Sequence, residues 1–594
     1  MSFSIAARFR PLGSRLSSSL LAVSTACVGL VVFASGCSGQ LDDTSAAGSS
    51  TDPQMMNGTA GTGGAVPPTG VPPQTTPPPE PSDWYSAVQN TDCSGAPTLE
   101  RTRIRRLSHV QFANTVQVAL GATVDPKTLP ADAISSSTWY NTDATENTVN
   151  VLLANAYYDK GEAIAQSAAA AAITAYPCLS TQAAMTTCSS AFIADYGQRL
   201  FRRPLTTEES TRYAGLLTEQ AALDPADVAV GTVIRAMLLS PNMLFLTELG
   251  SSAAGEVALT PYEQASLISY LIADMPPDQA LLQAAASGQL GTERQSHAAR
   301  LLQTPAARAK FADFWEQYLP EGDLRQATML PANVVAAMDA EPTTQFDKVV
   351  WEQGGSFRDL LTATYSYGDP AMAEIYGSMT PDGTPGRSAL PAGERSGFVT
   401  EPAVLFSSPD ATQPHKVIQR GLLVRNRLLC MVPTPPPPNL IPNPADLITD
   451  PNATARENYE AFSTEKPACA ACHEGFQPYG LAFETYDDQG RFRDSYENGK
   501  PILTAGEIKN SGDANGPYAD AVELAGRVGN SQIGEYCFAR QYADYALGRH
   551  LASNVDACTI KALGDTAPDS AINQLAVILG ERQASANRFH TVVQ

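Results

Sequence analysis

Apolar residues recur at helical spacing through most of the chain after residue 105. The first run opens at Ser108, where Gln111 is placed to complete a capping box, and ends at Gly121. Its apolar residues recur at helical spacing, at Val110, Phe112, Val116, Ala119 and Leu120. This pattern predicts an amphipathic α-helix.

Two further stretches show the same kind of helix start. Thr206 precedes Glu209 by three residues, and Thr260 precedes Glu263 with Pro261 at the first helical position. Apolar residues come next at helical spacing, at Tyr213, Leu216, Leu217, Ala265, Leu267, Ile268 and Leu271. The roughly 510 residues after position 83 suffice for several cores, so we predict a mostly α, multi-domain helical protein.

The N-terminus has the pattern of an export signal. Arg8, Arg10 and Arg15 precede an apolar run at residues 20–33 that ends in Ala34-Ser35-Gly36-Cys37. The small residues before Cys37 resemble a bacterial lipobox, with Ala34 where Leu is usual. We therefore expect a lipoprotein signal peptide at 1–36 and a diacylated Cys37. The alternative is a plain signal peptide in which Cys37 is incidental.

The segment after the signal predicts a tether. Residues 37–82 are rich in Gly, Thr, Ser and Pro and hold almost no large apolar side chain, so they should be disordered. Ser38, where Asp would retain a lipoprotein at the inner membrane, favours the outer membrane by resemblance to lipoprotein sorting. We expect an outer membrane lipoprotein that faces the periplasm or the cell surface.

The charge balance argues against polyanionic partners. The chain has 39 basic and 61 acidic side chains, a net charge of −22, which becomes −25 once the three signal-peptide arginines are removed. Such a surface argues against nucleic acid and against binding to an anionic membrane surface. It is compatible with a basic redox partner, although a solvated surface is the preferred explanation.

The strongest chemical signal is Cys469-Ala470-Ala471-Cys472-His473. In a helix, Cys469 and Cys472 share a face, and His473 comes directly after them. Two thiols at this spacing add to the vinyl groups of a porphyrin while the imidazole coordinates iron from the proximal side, so the motif predicts one covalent haem c. The alternatives are a short disulfide or half of a zinc site, but no second pair of zinc ligands has a recognisable spacing.

Residues downstream of the motif are candidates for the haem surroundings. Phe476 and Tyr479 are placed to cover the porphyrin, with Gly480 and Pro478 turning the chain, and ordinary core packing is the alternative. Arg491 and Arg493 are candidate partners of the haem propionates, or solvent-facing arginines.

The sequence leaves more than one candidate for the sixth iron ligand. No Met occurs after Met431, so the usual downstream methionine is missing. We expect His415 or, second, Met431 as the distal ligand, with His550 and His590 as further candidates. If none reaches the iron, the distal position holds water.

The remaining cysteines point to an oxidising compartment. Outside the signal region and the haem motif there are six cysteines, which permit fifteen pairings. Proximity in sequence favours Cys178–Cys188 and Cys537–Cys558, which leaves Cys93–Cys430.

Several motifs in a fixed order resemble one known family. They are residues 105–108, 112–116, 201–206, 239–245, 259–266, 420–430, 469–493 with the haem motif at their start, and 542–549. This series is similar to the planctomycete-type multi-domain cytochrome c proteins, also common in myxobacteria, whose domains have no known function. The chain departs from them at Phe476-Gln477-Pro478, where an Asp usually precedes the Pro.

The motifs and composition suggest a domain plan. We predict N-terminal helical modules at 83–250, a second helical domain at 251–390, a cytochrome c-like haem module at 391–505 and a C-terminal helical module at 506–594. No hydrolase, metalloprotease or phosphate-binding motif occurs, so any chemistry belongs to the haem.

Three functions fit these features. The first is a membrane-tethered electron carrier that serves an envelope redox partner. The second is a haem enzyme, peroxidase-like or oxygenase-like, that acts on an extracellular substrate, and the third is a binding scaffold with a structural haem. Whether the protein is an enzyme is not decided by the sequence.

Overall fold

The computed structural model describes residues 83–94, 100–250, 255–319, 324–406, 413–432, 450 and 452–590. The predicted signal peptide, Cys37 and the tether at 37–82 lie outside these residues. Within the described part, no helix is both long enough and apolar enough to cross a membrane. The protein is mostly α-helical with a few short strands, as predicted.

The first part of the described chain is a series of helices: Trp84–Gln89, His109–Leu120, Val151–Ala175, Gln182–Met185, Ser189–Phe201, Thr207–Ala221, Ala226–Leu238 and Pro241–Leu244. The predicted caps are confirmed. Ser108 and Gln111 form a capping box and Gly121 ends that helix in the left-handed conformation. Thr206 and Glu209 form a second box.

The middle of the chain continues with Pro261–Ala273, Gln279–Ser287, Leu290–Leu302, Pro305–Tyr318, Ala332–Asp347, Phe357–Thr362, Ala373–Tyr376 and Pro402–Leu405. Thr260 and Glu263 cap the first of these helices, with Pro261 at its start, as predicted. A π-helical turn, Lys348–Glu352, extends the helix Ala332–Asp347.

The last part contains Gln413–Leu422, Ala455–Glu465, Pro467–His473, Gln477–Leu481, Ala521–Gly529, Gln532–Leu547, Ala557–Thr566 and Gln574–Ser585. A second π-helical turn, Leu423–Leu428, extends Gln413–Leu422. Short 3₁₀ turns occur at Pro126–Thr128, Pro177–Ser180, Leu324–Gln326, Pro370–Met372, Phe398–Thr400, Gly512–Ala514 and Ala567–Asp569.

The strands are short and join distant parts of the chain. Arg588–His590 lies between Glu100–Arg101, its parallel neighbour, and Gly255–Val257, its antiparallel neighbour. The other antiparallel pairings are Arg103–Arg106 with Phe245–Glu248, Ser388–Ala389 with both Tyr365–Ser366 and Thr380–Pro381, and Gly506–Ile508 with Gly516–Tyr518. The first of these sheets places the two ends of the folded region side by side.

Two large hydrophobic cores hold the helices. One is built from residues between Leu107 and Leu246 and also takes in Tyr270. The other runs from Trp84 through residues 259–584, so the regions predicted as 251–390, 391–505 and 506–594 contribute to one core. The predicted domain boundaries stay predictions, since packing does not separate these three regions.

The disulfides correct part of the sequence prediction. Cys178 pairs with Cys188 as predicted. The predicted pairs Cys537–Cys558 and Cys93–Cys430 are wrong: Cys93 pairs with Cys558 and Cys430 with Cys537. Proximity in sequence failed here because the helix Trp84–Gln89 packs on Ala557–Thr566, which brings the two ends of the described region together.

Candidate functional site

The haem motif lies on a short helix, Pro467–His473, which Lys466 alone separates from the helix Ala455–Glu465. Proline in its first turn suits a helix start, where no backbone N–H is required. Cys469 is half-buried and Cys472 is exposed, and these two are the free cysteines among the described residues. The thiols that the motif needs are therefore not used in disulfides.

The His473 ring is held in one orientation. Its Nδ1 lies 2.8 Å from Oε1 of Gln477, which accepts the Nδ1 proton and leaves the Nε2 lone pair available. The rings of Phe462 and Phe476 each lie 5.0 Å from the imidazole. Burial lowers the pKa of His473, which favours the neutral form that can bind a metal.

The segment after the motif packs closely on an earlier helix. Gln477–Leu481 is a short helix and not the turn expected from Pro478 and Gly480. A Cβ at Gly480 would lie 1.8 Å from the carbonyl oxygen of Val417, and one at Gly421 would lie 2.1 Å from that of Phe476. These two glycines let the backbones of Gln477–Leu481 and Gln413–Leu422 touch.

Arg420 holds the backbone around this site in place, and this role was not predicted from the sequence. Its buried guanidinium donates to the carbonyl oxygens of Phe483 and Leu405, each at 2.9 Å, and of Tyr486 and Asp487, each at 3.1 Å. One cation thus satisfies four acceptors and fixes the chain beyond the motif. A sequence feature that could have pointed to this role is the adjacent Gly421, because a glycine there permits the two backbones to approach closely.

A cavity of about 1280 Å³ opens beside the motif. Glu474, Gly475, Pro478 and Tyr479, which come shortly after His473, form one side of it. Other walls include Trp84, Trp139, Arg425, Met431, Arg540 and His550. The residues therefore come from both ends of the described chain and from the region of the motif.

Arg425 links the cavity to the motif. Its Nη1 donates to the carbonyl oxygen of Gly475 at 2.7 Å, and a Cβ at position 475 would lie 2.3 Å from that nitrogen and displace the guanidinium. Burial lowers the pKa of Arg425, and Tyr479 and Cys472 lie close enough to oppose this shift.

A polar cluster lies in another wall of the cavity. His550 Nδ1 is 3.0 Å from Oδ2 of Asp544, and its Nε2 is 2.9 Å from Nη2 of Arg540. Asp544 also accepts the backbone N–H of Leu551 at 2.7 Å, and the Arg540 guanidinium lies 5.2 Å from the ring of Trp84. From the sequence, His550 is only a further candidate for the distal ligand.

Of the two preferred candidates for the distal iron ligand, the structure describes the side chain of Met431 but not that of His415. Met431 lines the cavity, and its sulfur accepts a hydrogen bond from Ser511 Oγ at 3.2 Å. His415 belongs to the helix Gln413–Leu422, but its side chain lies outside the described residues. The structure therefore brings Met431 to the site and leaves His415 a prediction.

Of the other residues predicted to contact the haem, two lie at the site and two do not. Phe476 packs against His473 and Tyr479 lines the cavity. Arg491 and Arg493 are not among the cavity-lining residues. They lie 3.7 Å from carboxylate oxygens of Glu374 and Glu484, respectively, so each faces an acidic side chain.

These residues fit a c-type haem. Two unpaired thiols lie one helical turn apart, the histidine after them presents Nε2, and a cavity with aromatic and cationic walls adjoins them. Cys469 and Cys472 would hold the porphyrin and His473 its iron. Arg425 and Arg540 line this cavity, whereas Arg491 and Arg493 do not.

Comparison with known protein families gives four matches along the chain. All are described as proteins of unknown function: PSD3 (DUF1587) at residues 105–170, PSD5 (DUF1595) at 188–248, PSD4 (DUF1592) at 259–378 and PSCyt3 (DUF1588) at 395–496. The PSCyt3 match contains the motif at 469–473. No curated protein and no solved structure matches. With four such domains in succession, the chain belongs to the planctomycete family of cytochrome-c-type proteins built from PSD and PSCyt domains.

Proposed function

We propose that this protein binds one haem c covalently through Cys469 and Cys472, with His473 as the proximal iron ligand. It then passes electrons one at a time to or from a redox partner in the bacterial envelope. The observation that carries the proposal is the pair of free thiols beside an oriented imidazole on one short helix. The haem, when bound, supplies the one-electron chemistry, and the protein supplies its attachment and surroundings.

Exposed acidic residues in the cavity wall support docking of a partner. Asp83, Glu474 and Glu507 line the cavity and are exposed to solvent. Acidic side chains at such a position attract a basic protein and speed its encounter. Lys509 lies 3.3 Å from Glu507 and partly offsets this charge, so a partner with a few basic residues fits better than a strongly basic one.

We also propose that Cys37 carries lipid and anchors the protein to the outer membrane. The support is the lipobox-like sequence that ends at Cys37. The proline-rich and glycine-rich segment at 37–82 then separates the folded region from the membrane surface.

A second candidate function is a haem enzyme. Ligand and cofactor cavities are commonly about 300–1,000 Å³. The cavity here, at about 1280 Å³, is larger, which leaves room for a small substrate beside a porphyrin. Its wall also carries a hydrogen-bonded polar cluster of Arg540, Asp544 and His550.

Redox titration of the exported, purified protein tests the proposal. A carrier should show covalent haem and one reversible one-electron couple, whereas protein that matures normally without haem would refute it. Carbon monoxide added to the reduced protein then separates the two candidates. Inert iron that opens in Met431→Leu or in His415→Ala identifies the distal ligand of a carrier, and rapid stoichiometric binding indicates an enzyme.

A further inference from the structure

A second, much smaller cavity, of about 10 Å³, lies between elements of the two large cores. Its lining joins three distant parts of the chain: residues from 105 to 147, Lys310, and residues from 545 to 548. We propose that this small cavity binds one small monovalent anion, of which chloride is the abundant example. The bound anion would hold the N-terminal helices against the rest of the fold.

Positive charge dominates the lining of the small cavity. Arg105, Arg106 and Lys310 all line it, whereas none of the Asp and Glu side chains that the structure describes does so. Two of these cations have an acidic partner outside the lining. Lys310 lies 2.7 Å from a carboxylate oxygen of Asp274, and Arg106 forms an ion pair with Asp132.

Arg105 is the cation that lacks such a partner. It is 6% exposed, and within the described part of the chain it forms no ion pair. Its Nη1 donates to the amide oxygen of Gln111 at the long distance of 3.4 Å, and its buried Nε has no hydrogen-bond partner there. A buried N–H without an acceptor is costly, and a buried charge without a partner is more so.

The nearby carboxylates do not pair with Arg105. Glu248 and Asp274 stabilise its charge only from a distance. Glu248 already faces Arg103 at 2.6 Å and Arg588 at 2.7 Å, and Asp274 is paired with the lysine of the small cavity. Burial lowers the pKa of Arg105 to about 10, so the guanidinium is still charged at neutral pH. One further negative charge would balance it.

The size of the small cavity suits a monatomic ion. A space of this volume admits about one water molecule, and chloride is the abundant anion nearest to water in size. A water molecule could accept from Nε of Arg105 but would leave the charge unbalanced, whereas an anion does both. Ser108, which also lines the cavity, caps the helix His109–Leu120, and the positive end of that helix favours an anion further.

Thermal unfolding of the purified full-length protein tests the site. Sodium chloride is exchanged for sodium gluconate at constant ionic strength, so that general screening stays the same, and gluconate is too large for the small cavity. The melting temperature of wild type should rise with chloride concentration, because a ligand that binds only the folded state stabilises it by mass action. In crystals grown with bromide, anomalous scattering should place a bromide ion beside Arg105.

Two substitutions of Arg105 separate a bound anion from a general salt effect. Arg105→Met keeps the length of the side chain but removes its charge, so it should lose the rise in melting temperature with chloride. Arg105→Lys keeps a charge but has no Nε, so it should need more chloride for the same rise. The lysine variant also serves if the methionine variant fails to fold.

The matched control is Arg199→Met. Arg199 pairs with Asp195, its side chain is 48% exposed, and it does not line the small cavity, so this variant should respond to chloride as wild type does. A wild type that responds no more than Arg105→Met, or bromide crystals without an ion beside Arg105, would overturn the anion site. Either result leaves the haem proposal standing, because no residue of the haem motif lines this cavity.

Discussion

Cys93 and Cys558 form a disulfide between positions that are 465 residues apart in the chain. The bond ties the segment after the helix Trp84–Gln89 to the start of the helix Ala557–Thr566, and so closes nearly the whole folded region into a loop. Because a crosslink stabilises mainly by restricting the unfolded chain, a loop of this length should matter more than the loop of 10 between Cys178 and Cys188.

Replacement of Cys93 and Cys558 by alanine should therefore lower the free energy of unfolding by about 2–5 kcal/mol, measured by denaturant titration. The Cys178→Ala/Cys188→Ala double variant is the matched control and should lose less. Peptide mapping under non-reducing conditions checks the pairing directly. Recovery of a peptide that links Cys537 to Cys558 would contradict the structure.

Covalent attachment of haem should depend on both motif cysteines. In a host that matures c-type cytochromes, wild type should retain haem after denaturation, and Cys472→Ala should reduce or abolish this retention. Loss is expected because a single thioether leaves one vinyl group unattached. Haem staining of a denaturing gel measures it, with Cys178→Ala/Cys188→Ala as a control that keeps the motif intact.

Gly480→Ala should disturb the packing beside the motif. The new methyl carbon would lie 1.8 Å from the backbone oxygen of Val417, so the two short helices must separate, at a cost of about 1–3 kcal/mol. Gly526→Ala is the matched control, since no atom lies within 4 Å of its added carbon, and it should stabilise the helix Ala521–Gly529 slightly. Equal melting temperatures for the two variants would argue against the close contact.

Glu341 should make stability depend on pH. Burial raises the pKa of Glu341 from 4.5 to about 6, while hydrogen bonds from Ser366 and Tyr376 oppose the rise. The folded protein thus holds this proton more tightly than the unfolded chain. The resulting stability is fully present below pH 4.5 and is lost as pH rises through about 6, by about 2 kcal/mol.

Glu341→Gln should remove this dependence, because the amide does not titrate. Unfolding by urea at about pH 4 and about pH 7 measures the difference. Glu352→Gln, at a half-exposed site beside Lys348, is the control and should behave like wild type. A wild-type protein that is equally stable, relative to the Gln variant, at both pH values would exclude the effect.

Lipidation of Cys37 should hold the protein in the membrane fraction. Cys37→Ser should move the protein from the membrane fraction to the soluble fraction, because the acyl chains are the proposed anchor. Cys27→Ser, earlier in the signal region, is the control and should leave partitioning unchanged. Membrane association that persists in Cys37→Ser would reject the anchor.

Much of the fold could be predicted from the sequence because it depends on interactions between residues that are close together in the chain. The caps at Ser108, Thr206 and Thr260 arise from hydrogen bonds within four residues, and the apolar spacing after them sets the buried face. The haem motif was equally local, since two thiols and an imidazole within five residues share one short helix. These features need no knowledge of distant contacts.

Tertiary structure decided everything that joins distant segments. The disulfide partners of Cys93 and Cys430 depend on which helices pack together, and Arg420 gained its role only where four carbonyl oxygens converge. Likewise, Arg491 and Arg493 lie near the motif in sequence but face Glu374 and Glu484, whereas Arg540 and His550 reach the cavity from about 70 residues further on. The sequence by itself determined the helices and the haem motif, because these arise from neighbouring residues. Only the tertiary structure decided which side chains surround that motif, because packing brings remote residues to one cavity.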